Sequence, residues 1–157
     1  MLDIVKKIMF KTSQSGESTI VGCDIGEFID NKPTVLTNYW PNCSVYYRTI
    51  YNGDEKSSVC VWSESGDKYT KQFWVEGQCQ KTETYKRGDE NFIEPDKDLT
   101  IIEDYNKYLD KIPKEDSTSQ PEIVNNKENC LGEETSIVIK NGKYIKYIKG
   151  INKRLIL

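Results

Sequence analysis

The sequence predicts a mostly β fold: an antiparallel sheet with one short helix. Three observations lead there. Thr37 to Gly77 holds all three Trp and five of the ten Tyr, interleaved with Val, Thr and Ile, a mixture that suits a pleated, half-buried surface. Two Asn-Gly pairs, Asn52-Gly53 and Asn141-Gly142, stand between apolar runs; Asn-Gly favours type I′ hairpin turns, where both central residues need φ > 0. A helical period appears once, over Leu99, Ile102, Tyr105, Tyr108 or Leu109, and Ile112.

The elements follow in order. Leu2 to Lys11 reads as a strand with Leu2, Ile4, Ile8 and Phe10 on one face. Thr19 to Ile29 alternates imperfectly, and Gly22 and Gly26 predict a bulge or a close backbone approach. Asn31-Lys32-Pro33 reads as a break. Thr37 to Trp40, Cys43 to Tyr51, Ser58 to Ser63 and Tyr69 to Val75 form the central meander, turning at Asn52-Gly53 and around Ser65-Gly66. Within it, Val45, Tyr47 and Thr49 are expected on one face and Tyr46 and Ile50 on the other. Cys79 to Lys86 is a further polar strand. Asp98 suits the N-cap of the helix, and Pro113 ends it. Lys114 to Asn129 reads as a polar linker, and Ser136 to Ile148 as a closing hairpin. At 157 residues a single domain is expected over residues 1–157, long enough to bury a core unaided.

Composition narrows the function. The net charge of −3 argues against nucleic acid as a partner. No apolar run approaches the roughly 18 residues of a membrane span. Met1 to Lys7 lacks the apolar h-region of a signal peptide, so the chain is expected either to stay inside the cell or to start at a mature or domain boundary. Histidine is absent, which removes the usual general base and the Ser-His and Cys-His dyads. No phosphate loop, dinucleotide fingerprint, nucleophile elbow or calcium loop is present. We therefore expect no enzyme, no cofactor and no metal.

Five cysteines, Cys23, Cys43, Cys60, Cys79 and Cys130, are dispersed one per element with no C-x-x-C pair. Dispersed cysteines in a strand-rich chain suit a disulfide-bonded extracellular or lumenal domain. At least one disulfide is expected and two are favoured, one cysteine being left over. The competing reading is a set of buried, reduced thiols.

Charge is segregated. Arg87 to Thr135 carries fourteen Asp or Glu against six Lys or Arg, and Ser136 to Leu157 carries six Lys or Arg and no acid. An acidic loop speeds encounter with basic partners; the plainer reading is a solvated connection. The lysines of Lys140 to Lys149 are read as protection of a sheet edge rather than as a nucleic-acid track.

Three segments together resemble the poxvirus immune-evasion β-sandwich family, which includes viral chemokine-binding proteins and the C-terminal domain of viral tumour-necrosis-factor receptors. They are Asp3 to Lys7 running through Thr12-Ser13-Gln14 to Cys23, then Asn38-Tyr39-Trp40-Pro41-Asn42-Cys43, and Cys130 through Ser136 to Tyr144. Members usually carry more cysteines, in even number, and a signal peptide. The resemblance implies an antiparallel β-sandwich, secreted or in the endoplasmic-reticulum lumen, that binds a host immune protein. The partner would be a chemokine first, otherwise another cytokine or a class I histocompatibility molecule. On that reading Asp89, Glu90, Glu94, Asp96, Glu103 and Asp104 steer a basic partner, while Tyr46, Tyr47 and Arg48 contact it on the aromatic face of the meander. The alternative is a lipocalin-like β-barrel carrying a small ligand, since seven or eight strands and aromatic interiors also suit a closed barrel.

Overall fold

The computed structural model describes residues 1–111 and 134–149. The strands are β1 (Leu2–Thr12), β2 (Ser18–Ile29), β3 (Lys32–Tyr39), β4 (Val45–Asn52), β5 (Glu55–Trp62), β6 (Lys68–Val75), β7 (Gln78–Lys86), β8 (Glu134–Lys140) and β9 (Lys143–Lys149). The helix α1 spans Thr100–Tyr108 and tightens into a 3₁₀ turn over Leu109–Lys111. All nine strands of the described residues join one antiparallel sheet in the order β7-β6-β5-β4-β3-β2-β1-β8-β9. The sheet does not close: β7 and β9 are both edges, so the barrel alternative is corrected.

Turn chemistry builds the meander. Asp30-Asn31, Glu76-Gly77 and Asn141-Gly142 each carry positive φ at both central residues, the signature of two-residue type I′ hairpins. Asp30-Asn31 turns the chain before Pro33, so the expected break is a hairpin and Pro33 sits inside β3 beside a bulge. At Asn52-Gly53 the expected type I′ turn is replaced: Asn52 pairs with Glu55 and only Gly53 has positive φ. That is the type II′ pattern, with glycine at the first central position.

Alternation assigns two faces. The first carries Ile8, Phe10, Cys23, Tyr39, Val45, Cys60, Trp62, Tyr69, Ile137 and Ile139, all buried. Onto it pack Ile101, Tyr105 and Tyr108 of α1, with the Tyr105 ring edge-on to Phe10 at 5.2 Å. The expected stripe holds at Tyr105 and Tyr108 and fails in the first turn. Leu99 and Ile102 are exposed, and Ile101, Tyr105 and Tyr108 at i, i+4, i+7 point inward. The helix is shorter than the periodicity suggests; Ile112 and Pro113 lie outside the described residues. Asp98 also shifts role: the N-cap is Leu99, and Asp98 Oδ1 accepts the Thr100 N–H at 3.0 Å from one position earlier.

Arg87 to Leu99 forms a strap across the same face. Val45 N–H donates to Asp96 O at 2.9 Å, and Asp98 N–H donates to Cys43 O at 2.9 Å. Trp62 Nε1 donates to Ile93 O at 2.8 Å, and Phe92 meets the ring of Tyr69 edge-on. Among the described residues, strap and helix thus cover one face and leave the other to the sheet's own side chains.

Candidate binding site

The second face follows from a bulge. Asn38 pairs with Tyr47 and Tyr39 with Val45, so Tyr46 is the extra residue. An inserted residue shifts alternation by one. Val45 therefore faces the strap while Tyr47 and Thr49 turn to the second face, and Ile50 returns to the first. The expected grouping of Val45 with Tyr47 and Thr49 fails for this reason. Tyr46 packs on Trp40, ring centres 4.1 Å apart, and on Tyr47 at 5.0 Å.

On this second face the side chains of β3 to β6 enclose a hollow of about 130 Å³, lined by Leu36, Asn38, Tyr47, Thr49, Tyr51, Lys56, Val59, Gln72 and Trp74. Its walls are mainly aromatic and aliphatic. Trp74 Nε1 donates to Gln72 Oε1 at 3.1 Å, which fixes the indole. The Lys56 ammonium lies 4.9 Å from the centre of the Trp74 ring, a cation–π distance. No carboxylate lines the hollow among the described residues. Burial pushes the Tyr51 hydroxyl pKa upward, so it stays a neutral donor.

Beside the hollow, a polar row crosses the sheet. Lys7 pairs with Asp24, Asp24 with Asn38 and Asn38 with Tyr47. Lys7, Asp24 and Asn38 are all buried, and Asn38 Nδ2 donates to Asp24 Oδ1 at 2.5 Å. Asn38 Oδ1 finds no donor among the described residues. A slip of one residue would drive this row onto the apolar first face, so it pins the register. Gly26 serves close approach here: a Cβ would come within 2.6 Å of the Phe28 ring and 2.9 Å of Leu36.

The residues singled out in the sequence are dispersed. Tyr47 lines the hollow and Tyr46 adjoins it. Arg48 faces the strap, its Nε donating to Thr37 Oγ1 at 3.1 Å and its Nη1 to Asp96 at 3.2 Å. Four of the six acids have work within the fold. Asp89 accepts the Lys86 N–H at 2.7 Å, Glu94 pairs with Arg87, Asp96 with Arg48, and Asp104 with Lys6. Glu90 and Glu103 are exposed. The sequence reading does not group Leu36, Thr49, Lys56, Val59, Gln72 and Trp74 as one site; strand parity groups them only once the bulge at Tyr46 and a second at Ser57 are placed.

The disulfide expectation is corrected for four of the five cysteines. Cys23, Cys43 and Cys60 are buried free thiols and Cys79 an exposed one. Cys130 lies outside the described residues. Cys23 and Cys43 face the strap, and Cys60 meets the Tyr69 hydroxyl at 3.5 Å. Burial raises the Cys23 and Cys43 pKa values, which keeps both thiols neutral and unreactive.

No group of three or more Cys, Asp or Glu side chains is placed to hold a metal among the described residues, and no described helix is long and apolar enough to cross a membrane. Comparisons with protein-family models, curated proteins and solved structures return no match.

Proposed function

We propose that this chain is a binding module that engages a protein partner through the second face of its sheet. The observation that carries the reading is the hollow of about 130 Å³ with Tyr47, Tyr51 and Trp74 in its walls. Its size suits one side chain. Small-molecule sites usually run from about 300 Å³ upward, so a carrier of a large apolar ligand fits poorly. Protein interfaces concentrate binding energy in a few anchors seated in desolvated, aromatic-rich pockets. Tyr46 and Trp40 extend the aromatic surface beside the hollow.

The family resemblance supplies the partner class: a host immune protein, with chemokines, other cytokines and class I histocompatibility molecules as the candidates. Secretion or lumenal residence belongs to the same proposal. So does the sandwich. It is supported by burial of Met9, Leu36 and Asn38 on the second face, and by bulges in β1–β2, β2–β3 and β3–β4 of the kind that bend a continuous sheet.

The test is a screen of immobilised protein against host cytokines and immune receptors, with Val59→Phe as the control that fills the hollow. A partner that binds the native protein and loses affinity to Val59→Phe is the expected result. A partner indifferent to Val59→Phe sinks the second-face reading, and a panel in which nothing binds sinks the immune-protein reading.

A further inference from the structure

We propose that the hollow on the second face is selective for a partner's glutamate side chain, which makes the Lys56 ammonium its specificity determinant. This rests on the reading of the hollow as an anchor pocket and adds the chemistry of the anchor. The lining holds one formal positive charge and no carboxylate. Lys56 has no ion-pair partner among the described residues, whereas Lys32 pairs with Asp54 at 3.2 Å and Lys81 with Glu83 at 2.7 Å. Gln72 spends its carbonyl oxygen on the Trp74 indole, which leaves its amide N–H groups as donors. The buried acceptor of Asn38 is closed off from solvent. Of the groups that remain to greet a guest, the Thr49 and Tyr51 hydroxyls can donate or accept, the Gln72 amide donates, and Lys56 alone carries a charge.

The apolar walls set the rest of the guest. A short methylene stem gains contact with Trp74, Val59 and Leu36, and a carboxylate at its tip meets Lys56. A charge-assisted hydrogen bond is roughly twice as strong as a neutral one, and a lysine held over an indole is already positioned, which lowers the ordering cost of the pair. A cationic guest meets the opposite: its charge sits against Lys56 with no acid in the lining to offset it. A basic surface loop therefore does not fill this hollow, and a basic chemokine would have to present an acidic residue there.

The experiment titrates three blocked tripeptides, with glutamate, glutamine or lysine between two glycines, into isotope-labelled protein. The readouts are the NMR signals of the Trp74 indole N–H and the Val59 methyls. The expected result is saturable binding of the glutamate peptide, tighter than the glutamine peptide by about tenfold or more, a factor equivalent to 1.4 kcal/mol, with no shift from the lysine peptide. Lys56→Met should abolish that preference and Lys56→Arg should retain it, both with an unchanged thermal midpoint. If the glutamine or lysine peptide binds as tightly as the glutamate peptide, the charge inference is overturned while the anchor pocket stands. If no peptide perturbs the native signals, the anchor pocket is overturned along with it.

Discussion

The Lys6 ammonium lies 2.5 Å from the Asp104 carboxylate, both side chains largely shielded from water, so β1 is tied to the polar side of α1. Lys6 also reaches Thr100 Oγ1 at 3.5 Å. An acid that reads in sequence as part of a partner-facing surface is here a clamp within the fold. Asp104→Asn should lower stability by about 1–2 kcal/mol, more than an exposed pair and less than a fully buried one. Glu103→Gln, one residue away and exposed, should change stability by less than about 0.5 kcal/mol. Urea midpoints of the two variants against the native protein check this, and equal midpoints would remove the clamp.

Two of the three tryptophans of the meander, Trp62 and Trp74, lie on opposite faces. Trp62 is 4 % exposed beneath the strap, stacked on Tyr69 at 4.9 Å. Trp74 is half-buried on the other side, in the wall of the hollow. Trp62→Ala should cost about 3–5 kcal/mol, and Trp74→Ala clearly less. Chemical denaturation of both variants gives the comparison; a larger loss for Trp74 would reverse the assignment of the core.

Alkaline stability should be limited by buried hydroxyls and thiols. Burial raises the Cys23 thiol well above 9.0 and pushes the Tyr39 hydroxyl from 10.0 up to about 12. Burial also raises Tyr69, helped by its contact with Cys60. In each case the unfolded chain ionises first and holds fewer protons, so stability falls as pH rises. Stability should be level below about pH 8.5 and decline from pH 9 through about pH 12, the window set by these groups. Denaturation midpoints measured across this range, with Cys23→Ser to remove one contributor, test it; a flat profile to pH 11 would refute the burial of these groups.

Thiol chemistry offers a sharper reading of the same burial. In the native protein without reductant, Cys79 should alkylate rapidly and Cys23, Cys43 and Cys60 only on unfolding. Since those four are not bonded to one another, an intact-mass comparison should show at most one disulfide within the chain. Two would contradict the structure.

Strand pattern made most of the sheet legible, because apolar alternation and Asn-Gly turns act locally. The β8–β9 hairpin falls where Asn141-Gly142 places it. The same asparagine does a second job that no local pattern shows: its Oδ1 accepts the Ile4 N–H at 2.8 Å and its Nδ2 donates to Asp3 at 3.0 Å, which extends the β1–β8 ladder. The bulge at Tyr46 was hidden, since an added residue leaves composition unchanged while inverting every later side chain. The roles of Asp89, Glu94, Asp96 and Asp104 were hidden for another reason. A run of acids looks the same in sequence whether it faces water or pairs with Lys6, Arg48 and Arg87 brought in from distant strands.

That distinction decides what the acidic strap contributes to binding. Neutralising Asp89 or Glu94 removes a contact to Lys86 or Arg87 as well as a charge, so any change in rate would mix steering with local unfolding. Glu90 and Glu103 carry exposed charge without such a bond among the described residues. Long-range steering depends on net field and is screened over about 8–10 Å at physiological salt, so changing these two alone weakens steering without breaking a contact of the fold. With a partner in hand, Glu90→Gln together with Glu103→Gln should slow association with a basic protein and flatten its salt dependence, leaving dissociation nearly unchanged. The hollow should show the reverse: Val59→Phe should speed dissociation and leave the salt dependence of association alone. Stopped-flow or surface-bound kinetics at two salt concentrations separate the two. If the double variant instead speeds dissociation, the acids touch the docked partner and the strap face, rather than the second face, carries the interface.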